Sequence, residues 1–587
     1  MGAENGGAGR PSTMRAWTAP RAFTALRAFT ALRARAPAML VLLGVALLLA
    51  TRAWHPIAEL GNADIAGILY EADIISDGGL PYRDTLDMKS PGSWFLFAAI
   101  FAGLGRSIES VQLVYTGWCL LAAPAIWLAA RALYGRGLAT GAAVLLYLAA
   151  IGCFDLNYSA WMATPYAWAF ACLLLGLRGR CGWWHLLAGV FAALAVAIKA
   201  QAFVLAPCFA LVWLWARRRG EPGATPRAWP LWAGGALLGL LPLLLWYQRH
   251  DALPLIIAGL FPLGVASDYG AATQRETWWI WGAYQIPLQL VAVYPLHATL
   301  SLAALLGARR TPGLPLLPQL LLLALSVVGC GVGGMRFYVH YLPQYLPALA
   351  LLAAHPQAWS YLRRAWAPEP WRARALSIAL ATLCTANALA LVIQIPRGKA
   401  TRIDSRGHPR ARQAGEYIAA RTTPHDTIQV WGWAAWPVYF WADRRAPSPV
   451  FKVLGQVTDY NQNGMFSRSK TTNFRPGPAA DTLLAAFQTA PPAFFVRSAG
   501  FFPGVHDDPL DQWPALRKIV TEQYVLRVRF GKLRVHELRT RIPPDELTKL
   551  LQAELAKKKK KKRPKKKRPK QPTRQKPRPP KRPPVTP

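Results

Sequence analysis

Acidic residues are scarce in the first two thirds of this chain of 587 residues: residues 1–400 hold fifteen Asp and Glu. Seven of the fifteen lie between Glu59 and Asp87. Charge near a bilayer is costly unless paired or wet, so a chain that gathers its carboxylates into one stretch is expected to use them. Cysteine is sparse as well. Cys119, Cys153, Cys172, Cys181, Cys208, Cys330 and Cys384 are scattered in or beside apolar segments. Their spacing fits neither a metal site nor a disulfide framework. There is no P-loop, nor a dinucleotide fingerprint set between a strand and a helix, so no nucleotide site is required. The N-terminus is Arg-rich and lacks the marks of a cleaved signal; it reads as a cytoplasmic basic arm over residues 1–36.

What the chain has in abundance is apolar sequence. Hydrophobic residues make up 53% of it and Trp alone numbers 25. Apolar segments near 37–53, 110–130, 137–153, 160–177, 183–198, 201–216, 230–248, 284–306, 314–333, 341–355 and 373–395 approach the ~20 residues that cross a bilayer. They predict a polytopic α-helical membrane protein of about eleven spans. With the N-terminal side cytoplasmic, alternate loops carry Arg131 and Arg136, Arg178 and Arg180, Arg217 to Arg219, Arg309 and Arg310, then Arg363, Arg364 and Arg372. That regularity obeys the positive-inside rule. The run 93–105 is too short to span, and counting it as a span would reverse every later loop; it predicts a helix lying in the interface.

After residue 395 the long apolar runs stop. Residues 396–545 contain the amphipathic EYIAARTT and the strand candidates DTIQVWGW, PPAFFVRSAG and YVLRVRFGKLRVHEL, which predict a small extracytoplasmic α/β domain on the side of the acidic loop. Residues 546–587 form a Lys/Arg/Pro-rich tail, with seventeen Lys and Arg in 557–587 alone. Such a composition cannot bury a core, so disorder is expected, with anionic polymer or lipid as partner and no specific nucleic acid.

The candidate site residues fall on the external side. Asp64 opens the acidic cluster, and Tyr82, Asp84, Asp87 and Lys89 follow within it. Lys199 sits between two apolar runs; it either snorkels to the surface or neutralises an anion at the membrane face. Arg336, His340 and Tyr341 gather at the start of the 341–355 segment. Several cations beside a carboxylate-rich loop suggest a lipid phosphate with a reacting group attached.

Taken in order, D-x5-Y-x-A-x4-DGGLPYRDTLDMKSPG, RALYGRG (131–137), GVFAALAVAIKAQ and GGMRFYVHYLPQYLP resemble the GT-C membrane glycosyltransferases. The branch is that of the protein O-mannosyltransferases and the aminoarabinose transferases of lipid A. Asp64, Tyr70, Pro81-Tyr82, Asp84 and Lys89-Ser90-Pro91 stand at the branch's positions. The resemblance implies a polyprenyl-phosphate sugar donor, transfer with inversion to an envelope glycan, lipid or protein, and Asp64 as catalytic base. It also implies a site on the extracytoplasmic face of a bacterial inner membrane. Ile65 stands where many relatives have a second acid, and Asp155 is the candidate for an acid in the second loop; a divalent metal is left open. The alternative reading, a transporter or flippase of a lipid-linked glycan, calls for repeat symmetry and midplane charges. The sequence displays neither.

Overall fold

The computed structural model describes residues 19–54, 63–135, 137–152, 156–179, 181–260, 278–309, 315–332, 339–394, 409–459, 472–501 and 507–562. Each of the eleven apolar segments is helical over part of its length. Six described helices are long and apolar enough to cross a bilayer: Arg35–Arg52, Ile108–Tyr134, Tyr158–Arg178, Ala200–Arg218, Ala228–Arg249 and Trp371–Ala390. Leu138–Ile151, Trp183–Ile198 and Leu317–Gly331 are shorter.

Two expected spans are interrupted, and proline accounts for both. Ile286–Val293 and Pro295–Ala308 meet at 115°. Pro295 has no N–H with which to continue the first helix, and Tyr294 before it leaves helical geometry at φ −124°. The 341–355 segment is not one helix. It is a 3₁₀ turn, Val339–Gln344 with Pro343 inside, followed by the helix Leu346–Ala353 with Pro347 in its first turn.

Close packing between spans rests on small residues. A Cβ at Gly189 would lie 2.2 Å from the Trp232 carbonyl oxygen, and one at Gly235 would lie 2.0 Å from that of Leu186. The helices Trp183–Ile198 and Ala228–Arg249 therefore touch backbone to backbone. Lipid gives apolar helices no hydrophobic reason to associate, so this close contact supplies the attraction. Leu42, Leu121, Leu237, Leu245 and Leu389 point outward from the bundle. That outward apolar surface is what an integral membrane protein turns to lipid.

Helix α1 (Ala19–Trp54) runs through the expected basic arm into the first span without a break. Helices α2 (Ala63–Ser76) and α3 (Gly92–Leu104) follow it. The 13 residues of α3 are too few to span, at about 1.5 Å rise each.

The C-terminal domain has the strands foreseen. Strands β1 (Ile428–Trp431), β2 (Phe494–Ser498), β3 (Tyr524–Phe530) and β4 (Leu533–Leu538) form one sheet in the order β1-β2-β4-β3. β1 and β2 run parallel, with the helix Pro478–Thr489 in the connection; β3 and β4 form a hairpin. Gly531 takes φ +59° at its tip, a left-handed turn conformation that glycine adopts without strain. Trp431, Phe495, Phe501 and Trp513 fill one side of the sheet.

The tail departs from expectation. Residues expected to be without structure from 546 continue the helix Pro544–Lys562. Asp545 and Glu546 suit its first turn, and Leu, Gln, Glu, Ala and Lys are strong helix formers. Residues 563–587 lie outside the described residues.

Candidate active site

Helix α2 is buried along most of its length, from Ala63 to Asp73 with Asp64 half-exposed, although it carries three acids. It packs between α3 and the helix Pro437–Ala442 of the C-terminal domain. Its polar groups are met one by one. Arg106 donates two hydrogen bonds to the Asp73 carboxylate, at 2.7 and 2.8 Å, and a third to the Phe440 carbonyl at 2.9 Å. Arg445 reaches Asp77 and the Asp73 carbonyl. The Tyr70 hydroxyl accepts from the Ala446 amide at 2.9 Å, and its ring stacks on Phe451 at 4.2 Å. Acidic loop and C-terminal domain thus share one side of the bundle.

At the start of α2, Asp64 faces Lys89, with Nζ 2.6 Å from Oδ1; their side chains are 23% and 27% exposed. Burial by itself would raise the Asp64 carboxyl, but the charges of Lys89, His340 and Lys452 outweigh it and bring the pKa down to about 2. Lys89 also lies 4.7 Å from the centre of the Tyr158 ring. Lys199 caps the end of Trp183–Ile198, donates to the Ser159 hydroxyl and sits 3.9 Å above the Tyr341 ring. His340 packs edge-on against Tyr341. Asp64, Lys89, Lys199, His340 and Tyr341, chosen from three distant stretches, therefore come together.

The K-S-P-G turn brings this about. The Ser90 hydroxyl accepts from the Ala200 amide at 2.9 Å, which ties the Lys89 loop to the residue after Lys199. A Cβ at Gly92 would fall 2.6 Å from the Ala197 carbonyl carbon, so α3 can start here only with glycine. Tyr82 acts on the same loop from behind. Its hydroxyl donates to the Lys89 carbonyl at 2.5 Å, and its backbone is held at φ +68°. That conformation is strained for an aromatic residue and persists because packing against Trp94 and Tyr247 over-determines it.

Two other candidates do different work. Asp84 accepts from the Leu80 amide at 2.6 Å and pairs with Arg83, closing a surface turn. Asp87 pairs with Lys452, a residue of the C-terminal domain; the side chains are 1% and 6% exposed. Glu71 lies beside this pair and accepts from the Thr85 hydroxyl at 2.5 Å. Burial, then the neighbouring Asp87 charge, push its carboxyl well above the usual carboxylate range. Asp155 and Arg336 lie outside the described residues. Sequence reasoning missed Lys452, Glu71, Tyr158 and Ser159. A lone Lys in the apolar run SPVFKVLG was the available signal for Lys452, since such a charge must have a partner when buried.

No group of three or more His, Cys, Asp or Glu placed to hold a metal ion occurs among the described residues. Lys452 supplies the positive charge beside Asp87 and Glu71. The described residues therefore do not fit a metal centre, and the chemistry below is derived from the side chains alone.

No family model matches the chain. No curated protein matches it in sequence. In structure it is similar to ArnT from Cupriavidus metallidurans bound to undecaprenyl phosphate, at 16% identity and a TM-score of 0.52. That match covers 86% of this chain and 99% of that one. The apo-state structure of the same protein matches at 15% identity and a TM-score of 0.48, with the same coverage. The first likeness shows a shared fold over nearly all of ArnT, including the C-terminal domain.

Proposed function

We propose that this protein is a membrane glycosyltransferase of the GT-C type that moves a sugar from a polyprenyl-phosphate donor to an envelope glycan, lipid or protein. The observation that carries the reading is the Asp64–Lys89 pair, open to solvent on one side and flanked by Lys199. A carboxylate beside a lysine ammonium, with a second lysine close by, is the equipment for taking a proton from an acceptor while a phosphate leaves. The shared fold with ArnT, whose structure was solved with undecaprenyl phosphate bound, supports a lipid carrier as the donor's leaving group.

In the proposed step the acceptor hydroxyl oxygen attacks the anomeric carbon from the face opposite the phosphate. The new C–O bond forms as the bond to the phosphate oxygen breaks, which inverts the centre. The acceptor proton passes to Asp64. The electron pair of the broken bond leaves with the polyprenyl phosphate, whose charge grows by one. Lys89 and Lys199 meet that charge, with Tyr158 and Tyr341 holding their ammonium groups in place. Lys89 links the two halves of the reaction. While it rests on Asp64 the carboxylate is a weak base, with its pKa near 2. A donor phosphate that draws Lys89 away restores the basicity where it is needed. Tyr82 positions the Lys89 backbone.

The alternating basic loops favour the extracytoplasmic face of a bacterial inner membrane for this site and the C-terminal domain. The test uses purified full-length protein in nanodiscs with a panel of polyprenyl-phosphate hexoses, pentoses and aminosugars. Release of free polyprenyl phosphate from at least one donor, lost in Lys89→Ala, is the expected result. Donor release that is the same in wild type and Lys89→Ala removes the assignment.

A further inference from the structure

The C-terminal domain carries a polar cleft that the transfer step does not use. It encloses about 450 Å³ at the carboxyl end of β2, and Arg497, Asp507, Asp508, Asp511, Gln512 and Arg534 are among its walls. The sheet register sets three arginines in a row, of which Arg497 and Arg534 line the cleft. Arg497 of β2 stands opposite Arg534 of β4, which stands opposite Arg529 of β3. Like charges directly opposed on neighbouring strands destabilise a sheet, so such a row calls for a reason.

Local neutralisation reaches one end of the row. Arg497 donates to Asp508 at 2.6 Å and lies 3.8 Å from Asp511. Asp508 is fully engaged, because it also accepts from the Trp431 indole at 2.7 Å and the Leu510 amide at 3.0 Å. Arg534 is half-buried, and its side chain makes no hydrogen bond or ion pair among the described residues. Burial, then Arg529 and Arg497, push its pKa down. His536, next along the same face, is pushed down to about 4 by burial and by the same three arginines, so it adds no charge near neutral pH. The facing wall has a different character. Asp507 and Asp511 are exposed, and the Gln512 amide nitrogen is left over after its oxygen accepts from Phe474.

A guanidinium with its fork to spare on one wall, and carboxylates with an amide on the other, match a ligand with one acid group and several hydroxyls. The acid pairs with the guanidinium and the hydroxyls donate to the carboxylates. A bare anion meets repulsion from Asp507, Asp511 being shared with Arg497 and Arg517, and a neutral sugar leaves Arg534 unpaired. We propose that this cleft is a saccharide subsite, separate from the Asp64 centre, that holds an acidic sugar residue of the hexuronate kind with its carboxylate on Arg534. The inference does not rest on the transferase reading, because binding is measured without donor.

The test is calorimetric titration of the full-length protein in detergent micelles with digalacturonate, its methyl ester and inorganic phosphate. Saturable binding of digalacturonate is expected, weakened about tenfold or more by Arg534→Gln and by esterification, since each removes a charge-assisted contact. Arg534→Lys, which keeps the charge without the fork, should fall between. Phosphate at equal concentration should not compete. Sugar release from the polyprenyl donor should be unchanged in Arg534→Gln. Absence of saturable digalacturonate binding overturns the proposal, as does equal binding of the ester, equal binding by Arg534→Gln, or equal competition by phosphate. Should Arg534→Gln fail to fold, the acid-against-ester comparison on wild type decides alone.

Discussion

Asp64–Lys89 and Asp87–Lys452 are the same chemical pair placed in different solvents; their acids share one stretch of chain, while Lys452 comes from the C-terminal domain. The first keeps about a quarter of each side chain exposed, at 23% and 27%. The second is sealed, at 1% and 6%. An exposed pair contributes little to stability, and its partners can exchange one another for a ligand. A sealed pair cannot be opened without leaving a bare charge in a dry place. The comparison separates chemistry from scaffolding where residue types alone would not: the open pair is the one we assign to the reaction, and the sealed pair holds the C-terminal domain against the loop.

The sharpest way to break this comparison is Asp64→Asn. The substitution keeps shape and removes the base, so single-turnover transfer should fall roughly 10²–10⁴-fold with donor binding retained. A variant that keeps more than about a tenth of the wild-type rate would give the role to another group. Lys452→Met should act on the other side of the divide. It strands Asp87 and should cost about 3–5 kcal/mol in thermal or denaturant unfolding, most of it recovered by adding Asp87→Leu. A loss of under about 1 kcal/mol, the range of exposed pairs, would mean that the pair is not sealed. Lys89→Ala should reverse that profile, with stability changed by less than about 1 kcal/mol. Its donor dependence should weaken about tenfold to a hundredfold, as the loss of a charge-assisted phosphate contact requires. Equal losses of stability in Lys89→Ala and Lys452→Met would erase the distinction.

The smallest effect concerns Glu71, beside the sealed pair. Its folded pKa lies above the ordinary carboxylate value, at about 8. The folded state therefore holds a proton that the unfolded state gives up, and this contribution is full below the ordinary value and lost as pH rises through about 8. Wild type should lose stability relative to Glu71→Gln as pH rises from about 5 to about 8. Unfolding midpoints that run parallel over that range would show that the carboxyl is not protonated in the fold.

Much of this was legible in the sequence, for reasons that can be named. DTIQVWGW and YVLRVRFGKLRVHEL read as strands because alternating β-branched and aromatic residues fit a pleated sheet and little else. Asp64 and Lys89 could be singled out because charge is rare in the surrounding sequence. The breaks at Pro295 and Pro343 were missed because hydropathy windows average over single residues, whereas one lost N–H is enough to end a helix. Asp84 read as part of the site from its neighbours in the motif; its bond to the Leu80 amide adds a turn-closing role that no motif shows. Lys452 could not be paired with Asp87 by any local pattern, since the two are 365 residues apart.

That separation also sets an order of events during synthesis. Helix α2 leaves the ribosome with Glu71 and Asp73, and Asp87 follows soon after. Arg106, which pairs with Asp73, follows within 33 residues, but Lys452 and Arg445, which pair with Asp87 and Asp77, emerge 365 and more residues later. At about 5–20 residues per second the interval is about 20–70 s. Throughout it the spans can insert, but the acidic loop has no lid and no counter-charge from the domain that will cover it. A nascent chain or a truncated product thus carries Asp64 and Lys89 in an unassembled site. Completion of the chain to its C-terminal domain is in effect the step that assembles the site.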